Sequence, residues 1–125
     1  LKGLGRSGGV DGLMEAVREQ RAPKGRRLAL IDALGNSGEP RAATALARFL
    51  VKKGDRGLRD ASIDALKRLG VETVPYLIPF LSSPQQNTIV GWALRQITGM
   101  NFSSKARLWD EWWKRRQSAR EAQGG

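Results

Sequence analysis

The chain has 125 residues with 22 Lys and Arg against 12 Asp and Glu, and it contains neither His nor Cys. Zinc sites, thiol nucleophiles, His-based triads and haem ligation by His or Cys are therefore excluded. An apolar content of 40% suits one globular domain, and no apolar run reaches the roughly 18 residues that span a bilayer. The net charge of +10 is uneven: +1 over residues 1–22, +5 over 23–54, zero over 55–83 and +4 over 84–125. Two basic blocks flank a neutral one, a balance that favours polyanions or acidic protein faces.

Residues 1–9 hold four glycines and are read as a linker or frayed end. A start at Leu1 rather than Met is expected of a piece of a longer protein. Val10, Leu13, Met14 and Val17 recur at helical spacing and predict a short amphipathic helix over 10–20. It looks like the second half of a repeat whose first half lies before the chain. Pro23 is placed at a first helical position, with Leu28, Ile31 and Leu34 following and Gly35-Asn36-Ser37-Gly38 as a stop. Pro40 restarts the chain, and Ala43, Leu46, Ala47, Leu50 and Val51 form one apolar face that ends at Lys52-Lys53-Gly54.

Asp55 is the expected N-cap of the next helix, which buries Leu58, Ser62, Ala65, Leu66 and Leu69 and stops at Gly70. The run Val71–Leu81 has the apolar density of a buried strand, but Pro75 and Pro79 oppose strand pairing. A helix from near Thr73, kinked at Pro79, is the expectation. Ser83-Pro84-Gln85-Gln86 has the form of a capping box opening a helix that ends at Gly99. A final helix starts after Ser103 or Ser104 and carries Trp109, Trp112 and Trp113, with Asp110–Lys114 and Glu111–Arg115 as expected ion pairs; residues 117–125 are expected to fray.

The chain repeats itself. Ile31-Asp32-Ala33-Leu34 returns as Ile63-Asp64-Ala65-Leu66 at an offset of 32, which Gly38 and Gly70 share, while Phe49-Leu50 returns as Phe80-Leu81 at 31. A third, weaker copy sets Ala93-Leu94 and Gly99 at the same points. A period of this length built from two helices means stacked pairs, each covering the apolar face of its neighbour. A non-repeating helical bundle is the alternative.

The stretch LALIDALGNSGEPRAATALARFL, residues 28–50, resembles the short bacterial HEAT-like repeat, the kind also found in phycobilisome lyases. Residues 61–81 match again, and residues 90–99 in the first helix only. Ile97–Phe102 with Trp109 and Trp112-Trp113 is similar to the ending of many bacterial HEAT-repeat proteins. The resemblance implies an all-α fold, a right-handed α-solenoid of antiparallel helix pairs with six to seven helices over residues 10–116. The Trp-rich segment 103–116 would cap its last repeat. Two departures stand out: the third repeat has no second helix of its own, and Glu39 replaces the usual Asp before the turn proline.

By the same resemblance, first helices form the convex layer and second helices, residues 40–53 and 73–82, line the concave one. Arg41, Arg48 and Lys52 fall at steps of seven and four and share one face with Thr44, whereas the helix 55–69 mixes Arg56, Asp60, Asp64 and Lys67. Arg41, Thr44, Arg48 and Lys52 are thus the candidate partner-binding residues. Trp92, Tyr76 and Phe80 are read as core. The leading expectation is a non-catalytic scaffold that presents a basic concave face to an acidic protein partner, with no metal, cofactor or catalytic residue. The alternative is a nucleic-acid module in which these cations, with Lys114, Arg115 and Arg116, contact phosphates. An enzyme of the HEAT-like glycosylase kind would have to use Trp109, Asp110 and a nearby Arg, although Asp110 is explained more simply by Lys114.

Overall fold

Three glycines set the period of the chain. Gly38, Gly70 and Gly99 have φ of +72°, +91° and +79°, the left-handed region that side chains with a Cβ rarely enter, and each follows a helix. The computed structural model describes residues 7–17, 23–50 and 55–124. Among these are seven helices and no strand: α1 (Ser7–Ala16), α2 (Lys24–Gly35), α3 (Ala43–Leu50), α4 (Arg56–Leu69), α5 (Val74–Leu77), α6 (Asn87–Thr98) and α7 (Ala106–Gly124). Helices α2, α4 and α6 pack in succession as one layer, α3 and α5 form a second, and α3 also packs across onto α4. This is an α-solenoid.

Equivalent positions of the repeat are buried together. Ile31 and Leu34 on α2 match Ile63 and Leu66 on α4. Ala42, Ala43, Leu46 and Leu50 match Thr73, Val74, Leu77 and Leu81 at the offset of 31. A fully buried leucine of this kind contributes about 1.5–3 kcal/mol. Gly35 lets the first layer close: a Cβ there would stand 2.8 Å from the Ala65 Cβ. Asp55 caps α4 as expected, accepting from the Leu58 amide at 3.0 Å, and this bond holds its carboxyl below the ordinary value of 3.8.

Several local expectations are corrected. Helix α1 begins at Ser7, so Ser7–Gly9 belong to a helix rather than to a linker; residues 1–6 and 18–22 lie outside the described part. Pro23 is the N-cap of α2, not its first residue, and Leu30 is buried where Leu28 was expected. Pro40–Ala42 form a 3₁₀ turn before α3, and 51–54 lie outside the described residues. Pro79 has no N–H to give the Pro75 carbonyl, so the last α-type bond runs from Ile78 to Val74. The chain then continues as a 3₁₀ turn over Ile78–Ser82.

The Ser83 hydroxyl donates to the Gln85 side chain instead of capping, and α6 starts only at Asn87, whose amide reaches the Ser83 carbonyl. Helix α7 does not fray after 116. It runs to Gly124, and the Arg120 Nη1 donates to both carboxylate oxygens of Glu72, at 2.6 and 2.9 Å. Glu111 pairs with Arg107 at 3.2 Å and not with Arg115.

Candidate functional site

Helix α3 presents its polar residues to one side because Ala43, Leu46, Ala47 and Leu50 occupy the other. Arg41, in the turn before it, is held in place. Its Nη1 donates to Asp11 of α1 at 2.6 Å and its Nε to Glu39 at 3.3 Å, bonds that raise its pKa further above an already high value. Two carboxylates therefore answer one guanidinium, and this part of the expected basic stripe is neutralised. The Thr44 hydroxyl donates to the Arg41 carbonyl at 2.6 Å and keeps its oxygen free to accept. Arg48, one helical turn on, is exposed and has no ion pair among the described residues. Lys52 lies outside the described residues.

Thr44 and Arg48 line a groove of about 710 Å³, a size within the range of ligand-binding clefts. Its other walls are Asp11, Met14 and Glu15 of α1, Ala45 of α3, Phe80 in the turn after α5 and Gln86 just before α6. It thus crosses three successive units on the second-helix side. Met14 and Phe80 supply apolar surface, Thr44 and Gln86 supply hydrogen-bonding groups, and charges of both signs stand at the rim. Of the four residues singled out in the sequence, two line the groove and Arg41 braces it through Asp11. In the sequence Met14 reads only as an apolar helix position and Gln86 only as part of a capping box, because the space they border with Glu15 exists only between repeats.

The aromatic residues divide. Trp109 is fully buried, its indole N–H donating to the Ser103 carbonyl at 2.9 Å, while Phe102 and Trp112 meet it edge-on at 5.0 and 6.1 Å between ring centroids. A buried Trp109 cannot serve as an exposed sugar- or base-binding platform. Asp110 pairs with Lys114 at 2.9 Å and holds its ammonium above the ordinary pKa range. Trp92, expected in the core, is 42% exposed, and Tyr76 is 39% exposed. The phase of α6 explains Trp92: Val90, Gly91, Ala93 and Leu94 occupy the buried side, which leaves residue 92 opposite.

Repeated helix pairs, glycine terminators 32 and 29 residues apart and a groove crossing the units define a helical-repeat protein. The chain belongs to the HEAT repeat family, whose model matches residues 10–98. The match ends before Phe102 and the tryptophans of α7. No curated protein and no solved structure matches the chain. HEAT repeats act typically as non-catalytic surfaces for protein interaction, and no helix among the described residues is long and apolar enough to cross a membrane.

Proposed function

We propose that the protein is a non-catalytic scaffold that receives a segment of an acidic partner protein in the groove between α1, α3 and Phe80. The observation that carries this reading is Arg48: a guanidinium with no ion pair among the described residues, in a groove also lined by Met14, Ala45 and Phe80. A carboxylate of the partner bonds Arg48, and an apolar neighbour in the same segment covers Met14 and Phe80. Thr44 and Gln86 offer hydrogen bonds to its backbone. Arg41 serves by fixing α1 at the far wall. The backbone of a stacked repeat is ordered in advance, so binding costs little conformational entropy. Similarity to lyase repeats contributes a scaffold and no chemistry.

Peptides selected from a random library on the full chain provide the test. Arg48→Glu is expected to weaken the groove-binding class by at least about tenfold, since one charge of a bonded pair is reversed. Equal affinity for Arg48→Glu would overturn the reading. Retention of generic duplex DNA that falls steeply with salt would instead favour the nucleic-acid alternative.

A further inference from the structure

On the first-helix layer, away from the groove, Trp92 stands between two open depressions. One, of about 380 Å³, is lined by Arg56, Arg59 and Asp60 of α4 and by Ile89 and Trp92 of α6. The other, of about 200 Å³, is lined by Thr88, Gly91, Trp92, Arg95, Asn101, Ser103 and Ser104. Helix α4 itself carries four cations, Arg56, Arg59, Lys67 and Arg68, against Asp60 and Asp64, and pairing redistributes this charge. Asp64 is held by Arg68 at 3.3 Å, and the same guanidinium bonds Asp32 of α2 at 3.1 Å. Around Trp92 there remain Arg56, Arg59 and Arg95, with no ion pair among the described residues, against Asp60 alone. The Arg59 Nε is buried and has no hydrogen-bond partner among the described residues.

We infer that this outer face is a second docking surface, and that its occupant is an acidic segment of a partner protein carrying an apolar side chain. Trp and Arg are the residues that dominate protein interfaces energetically, and planar guanidinium groups match carboxylates by two parallel bonds. Ile89 and Trp92 form one aliphatic-aromatic seat for the apolar side chain, and the three arginines around it answer acidic residues on either flank. A single-stranded nucleic acid fits less well. It requires successive stacking rings along a continuous cationic track, whereas here one exposed ring stands beside Asp60. The surface is separate from the groove holding Arg48, so either can fail alone.

The test uses the same peptide library and the full chain. Both Trp92→Ala and the pair Arg56→Glu/Arg95→Glu alter exposed side chains, and unchanged far-ultraviolet circular dichroism and melting will verify the fold. The expected result is a class of peptides combining Asp or Glu with a Leu, Phe or Trp. That class binds Trp92→Ala and the double variant about tenfold more weakly and Arg48→Glu with wild-type affinity. Absence of that class, or loss of its binding through Arg48→Glu alone, would overturn the inference. So would an oligothymidylate that binds more tightly than the peptides and depends on Trp92.

Discussion

Trp109→Ala is expected to destabilise the protein by about 3–5 kcal/mol, a large part of the stability of an ordinary domain. The indole is fully buried and contacts Phe102 and Trp112, so truncation opens a cavity beneath α7. It also strips the Ser103 carbonyl of the N–H that now bonds it at 2.9 Å. Ser103 has φ of +56°, an uncommon conformation for a residue with a Cβ, and the indole bond helps to hold it. Urea unfolding of the alanine and phenylalanine variants separates the two effects. Phenylalanine keeps most of the volume and loses the hydrogen bond, and a cost of about 1–3 kcal/mol is expected for it. A loss below about 1 kcal/mol for the alanine variant would mean that α7 contributes little to the core.

Gly91→Ala is expected to destabilise by about 1–3 kcal/mol, against the usual gain of about 0.5–1 kcal/mol for this exchange inside a helix. The reason is backbone proximity. A Cβ at Gly91 would collide with the Ser103 carbonyl oxygen and stand 2.8 Å from its carbon and 3.3 Å from the Ser104 Cα. None of these atoms is the end of a flexible side chain, so α6 and the following loop would have to separate. Gly12 in α1 is the internal control, because nothing lies within 4 Å of a Cβ built there. Gly12→Ala should therefore stabilise where Gly91→Ala destabilises. The two signs, read from thermal melting, distinguish close approach from a general intolerance of substitution.

How much of this was legible beforehand follows from the range of each interaction. The offset between Ile31-Asp32-Ala33-Leu34 and Ile63-Asp64-Ala65-Leu66 marks buried positions in both copies because packing recurs with the repeat. Pro79 and Asp55 act on their own neighbourhood, so their effects on α5 and α4 were foreseeable. Arg41 was not. Its partner Asp11 is 30 residues away, and a count of cations on one helix face includes those already neutralised across the stack. Arg120 and Glu72 lie 48 residues apart, so a contact that joins the α7 tail to the rest of the stack has no local signal. Trp92 differs in kind: its residue type favours burial, but the helical phase set by Val90, Ala93 and Leu94 turns it away from the core. The groove itself has no sequence signature, since its walls come from three units.

The most direct measurement of the central claim is a titration followed by amide proton–nitrogen correlation spectra, using a peptide whose affinity drops with Arg48→Glu. Binding in the groove predicts shifts concentrated at Met14, Thr44, Ala45, Arg48 and the Phe80 turn, residues of separate units brought to one cleft. Shifts confined to α2 and α7, with these amides unmoved, would contradict it.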